Sequence, residues 1–308
     1  MIAVRVWYLH GMRPDDLPDT LAGLRRASRG RDLPVPTLLR SEKWDSLVRD
    51  GENEAVPGLV PLRAMAKTKR GIATGANEFF HLTAAQARDL GLPARSLLPC
   101  VGRAGDVEGF EFTEESFRRI RDGGARCYLV SLGPDLDDAE RRYIAAGESE
   151  GIQSRYLLAA RRPWFSMERQ VPAPVWAAVF GRQGLRFVHN RAGVRTLTTF
   201  HCVYPQTASL EFCAALTLCL NAPSTQNRAR AQRRVYGGGL LKFEPKDLLD
   251  IEVPDLRRVS ASILAELAKL QAGFAGSAKR ISETDWARAD EAVREAAAEA
   301  ARSQARHA

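Results

Sequence analysis

Short runs of β-branched and aromatic residues, each soon closed by glycine or proline, recur between residues 58 and 254: "ARCYLVSL" (125–132), "LRFVHN" (185–190) and "FHCVYP" (200–205). Strands this short cannot bury a core alone, so several must be gathered from distant parts of the chain. Helical stretches intervene at 136–148 and in the apolar "SLEFCAALTLCLNA" (209–222), without the regular alternation that builds a parallel sheet. The pattern predicts an α+β fold.

At the amino end, "IAVRVWYL" (2–9) predicts a strand and "PDDLPDTLAGLRRA" (14–27) a helix entered through Asp and Pro, a strand-helix unit without neighbours. Segment 41–62 passes through a Gly, Asn and Pro cluster that suits a linker, which places a boundary near residue 57. After "DIEVPDL" the apolar residues of "LRRVSASILAELAKLQAGFAG" recur at helical spacing, with Leu264, Leu267 and Leu270 on one stripe. A second, Ala-rich helix follows from about 283 and is expected to fray at the carboxyl end. Three segments result: 1–56, a connector; 57–254, the mixed domain; and 255–308, a helical extension expected to pack on that domain.

Lys and Arg outnumber Asp and Glu by 45 to 37 in the 308 residues, a net charge of +8 that favours an anionic partner, nucleic acid ahead of a membrane surface. No apolar run approaches the roughly 18 residues of a membrane span, and the amino terminus is too short and too charged for a signal peptide, so a cytoplasmic protein is expected. The five cysteines form no CxxC pair and sit mostly in apolar contexts, which predicts buried free thiols and no zinc site. The five histidines show no ligand spacing either.

The arginines are concentrated. Between Gly151 and Phe200 there are eight (Arg155, Arg161, Arg162, Arg169, Arg182, Arg186, Arg191 and Arg195) against the single acid Glu168, a net +7. Interleaved with Tyr156, Trp164, Phe165 and Trp176, they suit phosphate contacts combined with aromatic contacts to bases. A second basic run, "NRARAQRRVYGGGLLKFEPKDL", includes Arg233, Arg234 and Tyr236 before Gly237, Gly238 and Gly239. Three glycines in a row let a backbone approach a ligand closely, or simply make a tight turn; no GxxxxGK[ST] is present.

The stretch "KTKRGIATGANEFFHLT" (67–83) has G-x-x-x-G spacing without the third glycine of a dinucleotide fingerprint. Gly71 and Gly75 are expected to hold a turn that aims Thr74 and Asn77 outward beside Lys67, Lys69 and Arg70. Asn can bond an adenine edge, and Arg a guanine edge.

Taken in order, "RGIATGANEFF", "GESEGIQSRYLLAARRPWF", "LRFVHNRAGVRTLTTFHCVYP", "LNAPSTQ" and "VYGGGLLKFEPKDLLDIEVP" resemble the C-terminal target-recognition region of gamma-class adenine-specific DNA methyltransferases of TaqI-like and type IIG restriction-modification systems. The resemblance covers roughly residues 60–254, and 1–56 is similar to the end of the catalytic domain and its connector, most closely at "EKWDSLVR". It implies a region that lies on double-stranded DNA and reads the target, while a Rossmann-like domain binds S-adenosylmethionine and methylates a flipped adenine. On this resemblance the DNA-facing or site-shaping positions are Gly71, Thr74, Gly75, Asn77, Arg161, Arg162, Pro163, Trp164, Asn190, Arg191, Gly193, Tyr236 and Gly237 to Gly239; the basic runs add Arg70, Arg195, Arg233 and Arg234 as DNA-binding candidates.

Methylation of the adenine amine requires an Asp/Asn/Ser-Pro-Pro-aromatic loop, and this sequence contains no Pro-Pro. It also has no strand-led glycine-rich turn followed by an acid that could hold the methyl donor. The expectation is therefore a recognition module with no catalytic residue and no cofactor of its own, served by a methyltransferase subunit in trans, or left by one that was lost.

Two alternatives remain from other classes. One is a sequence-indifferent nucleic-acid binder. The other is an enzyme with unrecognised motifs: a methyltransferase, a nuclease built on Pro134-Asp135 and Glu244-Pro245-Lys246, or a Cys-His nucleophile at His201-Cys202. Neighbours in a strand point to opposite faces, which argues against the last.

Overall fold

The computed structural model describes residues 3–8, 29–35, 56–178, 185–230, 234–236, 240–274 and 281–306. The chain forms two compact units, Met1–Val56 and Pro57–Ala308. In the first, β1 (Ala3–Tyr8) pairs antiparallel with β2 (Arg29–Pro34), Ala3 opposite Pro34 and Tyr8 opposite Arg29. The strand expected at 2–9 is present, and its neighbour is the charged "RGRDLP", which carries no apolar alternation to announce it. The helix expected at 14–27 lies outside the described residues.

The second unit begins with β3 (Leu59–Pro61) and β4 (Ala66–Arg70). A one-turn α1 (Asn77–Phe80), β5 (His81–Thr83), α2 (Ala84–Asp89), β6 (Leu97–Val101), β7 (Glu111–Phe112), α3 (Glu114–Asp122) and β8 (Arg126–Val130) follow. Next come α4 (Asp138–Ser149), a one-turn α5 (Tyr156–Ala159), β9 (Val175–Ala178), β10 (Arg186–Asn190), β11 (Arg195–Thr196) and β12 (Phe200–Pro205). The remainder is α6 (Leu210–Asn221), α7 (Pro223–Arg230), β13 (Arg234–Tyr236), β14 (Leu240–Lys242), α8 (Pro245–Leu248), β15 (Glu252–Pro254), α9 (Ala261–Gly273) and α10 (Glu283–Ala305). Helices and sheets are mixed, and the fold is α+β.

Five strands form the main sheet in the order β4-β12-β9-β10-β7, antiparallel except for the β10/β7 pair. Its central strands are buried on both faces. Val175, Ala177, Phe187 and Val203 join one core with α6, while Trp176, Ala178, Val188, Phe200 and Cys202 join another with Phe112 and Phe117. Alternate residues of a strand enter opposite faces, so two-sided burial requires the near-continuous apolar runs seen in the sequence. A second sheet, β11-β6-β8-β5, packs a third core with Phe80, Tyr143 and Leu158.

Every residue of α6 from Phe212 to Asn221 is buried, as an all-round apolar helix requires. It lies against α9, and Leu267, Phe274, Ala289, Val293 and Ala296 of the C-terminal helices complete its core. The stripe expected on α9 faces this core through Leu267, with Leu264 and Leu270 partly buried beside it. The last helix runs regularly from a Ser282/Asp285 capping box to Ala305. Antiparallel pairing of β3 with β15, Val60 opposite Val253, ties the start of this unit to the segment that precedes α9.

All five cysteines are buried and free, and burial raises their pKa values, to about 11 for Cys127 and Cys213. His201 and Cys202 do face opposite ways: the His201 ring lies 2.8 Å from the Phe243 carbonyl, whereas Cys202 Sγ meets Gln170 and Thr196. Glu244 caps α8 in a reciprocal box with Asp247. Among the described residues no group of three or more His, Cys, Asp or Glu could hold a metal ion, and no helix is long and apolar enough to cross a membrane.

Candidate nucleic-acid interface

β4 is the edge strand of the main sheet and leads into the glycine turn. Lys67 and Lys69, two residues apart, share its exposed face. Thr68 points the other way and donates 2.7 Å to the Pro245 carbonyl. Arg70 is exposed and forms a 3.0 Å ion pair with Glu168. Among the described residues Lys67, Lys69, Arg162 and Arg169 are exposed and make no ion pair.

At Gly71 the chain passes between the two sheets. Its amide donates to the Phe200 carbonyl, and that of Ile72 donates to Thr196, each at 2.9 Å. A Cβ at Gly71 would lie 2.2 Å from the Leu197 carbonyl oxygen, so the absent side chain makes room for backbone. Gly75 takes φ +83°, a left-handed conformation open to glycine, and a Cβ there would approach Leu157 and Leu158 at 3.1–3.3 Å. Both glycines are thus filled by protein. Neither leaves an open cradle in which S-adenosylmethionine could lie, and the turn does not fit that cofactor.

Between the glycines the turn closes on itself, and Thr74 is 1% exposed rather than aimed outward. Its hydroxyl donates to Asn77 Oδ1 at 2.5 Å and accepts from the Ala76 amide at 3.1 Å, a local turn of the kind Thr favours. Asn77 is exposed, and with Oδ1 engaged by Thr74 its NH2 group is what it offers a ligand. Below them the Arg161 guanidinium donates to the carbonyls of Ala73 (2.6 Å), Thr74 (3.1 Å) and Ser166 (3.0 Å). Burial draws its pKa below the usual arginine value, with the Glu168 charge opposing the shift. Glu78 is paired with Arg155; its own backbone amide and then that pair hold the carboxyl below its ordinary pKa.

The result is an open cleft of about 360 Å³ lined by Arg70, Thr74, Gly75, Asn77, Glu78, Leu157 and Thr198. Four expected positions, Arg70, Thr74, Gly75 and Asn77, meet there, with Arg161 beneath. The sequence reading did not anticipate Leu157, Glu78 and Thr198. Their signal is weak, since each enters through contacts 80 or more residues away in sequence or from a one-turn helix.

Other expected positions serve the fold. Asn190 is 7% exposed, and its side chain donates to the carbonyls of Ala173 (2.8 Å) and Val194 (2.9 Å) and accepts from the Val194 amide. It holds the β10–β11 turn and cannot reach a base edge. Trp164 donates to Glu148 at 3.0 Å, and its ring packs among Phe79, Phe80 and Phe165. Arg191 pairs with Glu111 at 3.3 Å, and Arg195 donates to the Gln170 carbonyl at 3.0 Å. Arg186 is spent on the carbonyls of Ala104, Val107 and Gly109. Arg162, exposed, donates only to the carbonyls of Ala159 and Arg161. The +7 window is therefore not one phosphate grip: several of its cations tie down loops, because a guanidinium with five donors can close a turn that lacks backbone partners. Arg234 and Tyr236 lie on β13, opposite Lys242 and Leu240. Arg182, Arg233, Gly237, Gly238 and Gly239 lie outside the described residues.

The chain is 36% identical over 208 residues to the type II methyltransferase M.AccI of Acinetobacter calcoaceticus, covering 67% of this chain and 38% of that protein. It is 30% identical over 254 residues to the type II methyltransferase M.XamI of Xanthomonas campestris pv. amaranthicola, covering 79% of this chain and 45% of that protein. It thus spans less than half the length of these relatives. Among solved structures, the type IIG restriction endonuclease BpuSI matches with a TM-score of 0.45 at 12% identity, over 89% of this chain and 36% of that one. The family model described as "Type II methyltransferase M.Eco57I, C-terminal domain" matches residues 38–295, and the chain belongs to that family.

Proposed function

We propose that this chain recognises a specific sequence in double-stranded DNA for an adenine-specific methyltransferase of a restriction-modification system. The catalytic domain that such a system requires, with its S-adenosylmethionine, is not among these 308 residues. The cytoplasm, where the DNA lies, is the compartment this role requires.

The observation that supports it most is the braced turn at Gly71–Asn77 beside an edge strand whose Lys67 and Lys69 face solvent. An open cleft that offers Arg70 and the Asn77 NH2 suits a base edge and its flanking phosphates better than a small molecule, which needs enclosure. The kinship with type II methyltransferases supports the same assignment.

Selection from a randomised duplex pool, followed by titration of the selected and scrambled sequences, tests it. The selected duplex is expected to bind ~10³-fold or more tightly. Replacing Lys67 and Lys69 by Ala should weaken binding to every duplex and reduce the salt slope by about 1 per lost phosphate contact. Equal affinity across the pool would leave a non-specific binder. Methyl transfer from labelled S-adenosylmethionine by these 308 residues alone would refute a recognition-only role for them.

A further inference from the structure

Among the aromatic residues of the basic window 151–200, Tyr156, Trp164, Phe165 and Trp176 are interleaved with its arginines, and the structure disposes of the last three. Trp176 is fully buried in the main sheet, while Trp164 and Phe165 pack together against the third core. Tyr156 is different: it is 90% exposed, the most open of the large apolar side chains among the described residues, and the adjacent Leu157 is 43% exposed.

The segment that carries the pair is held on both sides. Arg155 pairs with Glu78 across the turn, and Leu158 is fully buried, its Cγ 3.1 Å from where a Gly75 side chain would begin. Arg161 then ties the end of the segment to Ala73 and Thr74. The backbone of Tyr156 is therefore fixed to the turn it borders. Leu157 lines the cleft, and one residue along a helix is a rotation of about 100°, so the Tyr156 ring is turned away from that lining and into solvent.

We propose that Tyr156, backed by Leu157, stacks on a base unstacked from the duplex at this cleft and so contributes affinity that does not depend on charge. This rests on the proposed DNA-binding role. The surroundings favour one occupant: Arg162, exposed and without an ion pair, lies on the same segment as the ring, and Lys67 and Lys69 stand exposed on the strand leading into the turn, whereas Arg155 and Arg70 are already paired with Glu78 and Glu168, a setting that matches a polyanion with flat π faces. A protein partner that covered the ring would have to satisfy the Arg162 charge as well. An aromatic on a braced element is also a low-entropy contact, because only its own side-chain torsions must be fixed on binding.

The test uses the full chain and the duplex selected from the random pool. Wild-type protein is titrated first; no binding there would remove the DNA-recognition role itself. If it binds, Tyr156→Ala is expected to lose about five- to a hundred-fold in affinity, the range for one base–aromatic stack, with the salt slope unchanged. Tyr156→Phe should recover most of the loss, and both variants should keep the wild-type urea midpoint. Wild-type affinity for Tyr156→Ala would overturn the proposal, as would a Phe variant as weak as Ala or a loss accompanied by a shallower salt slope. An altered urea midpoint in Tyr156→Ala would assign the residue to the fold instead.

Discussion

The adjacent arginines Arg161 and Arg162 look equivalent in sequence, and the structure places their guanidinium groups in opposite settings. In Arg161→Ala the carbonyls of Ala73, Thr74 and Ser166 lose a common donor. At about 0.5–1.5 kcal/mol net per hydrogen bond, and with the carbonyls only partly able to recruit water, the loss is about 2–4 kcal/mol. For an m-value of about 3 kcal/mol per molar urea, the midpoint falls by roughly 1 M. In Arg162→Ala two local bonds of an exposed side chain disappear, and stability should change by less than about 0.5 kcal/mol. Its loss should appear in the DNA titration as a salt slope shallower by about 1. Urea unfolding followed by tryptophan emission and a salt series of DNA titrations, run on both variants, separate the two effects. An unchanged midpoint in Arg161→Ala would refute the bracing role, because no other described side chain donates to the Ala73 and Thr74 carbonyls. A double variant cannot make the distinction, since a weakened turn and a lost phosphate contact both lower affinity.

Other outcomes follow from the same geometry. Gly71→Ala places a carbon 2.2 Å from the Leu197 carbonyl and 2.9 Å from that of Thr196, so backbone must move; a loss above about 3 kcal/mol is expected, whereas Gly133→Ala, in open space, should melt like wild type. Asn190→Ala leaves two carbonyls and an amide unsatisfied in a buried turn and should cost about 2–4 kcal/mol in urea, with the ranking of DNA sequences unchanged for the folded fraction. Burial, and secondarily the Arg191 charge, lowers the His189 pKa to about 4; Glu111, 3.9 Å away, does not reverse this because Arg191 shares it. The native state thus holds His189 neutral: its contribution is fully present above the unfolded value near 6.5 and declines as pH falls toward 4. Urea midpoints measured from pH 7 to pH 4 should show that decline, and His189→Gln should flatten it.

The elements that could be read from sequence are those whose residues face protein on every side. β8, β10, β12 and α6 lie where "RCYLV", "RFVHN", "FHCVYP" and "LEFCAALTLCLN" place them, because two-sided burial demands apolar residues at consecutive positions. β2 and β4, "RGRDLP" and "AKTKR", carry charge within the strand, and only their partners reveal them. The same divide runs through the site. Composition located the arginines but could not say where each guanidinium ends, since Arg161 finds its acceptors 87 and 88 residues away and Arg186 finds one 82 away. Asn190 illustrates the cost: a polar side chain beside basic residues reads as a ligand donor until the turn that consumes its amide is visible.

Tyr156 marks the limit of that argument and shows what a finer reading can extract. Three apolar residues, Tyr156, Leu157 and Leu158, fall within one helical turn, and at about 100° per residue they fan across roughly 200° of its circumference. A single turn resting on a surface buries one side, so the triplet cannot all be core, and one apolar group had to face water. Which one is decided from outside the segment. Gly75 lacks a side chain where Leu158 enters, which makes Leu158 the buried member. Rotation then sets Leu157 against the cleft and leaves Tyr156 in solvent. The glycine that looked like part of a ligand loop therefore acts through packing, and it fixes which apolar side chain stands free in solvent.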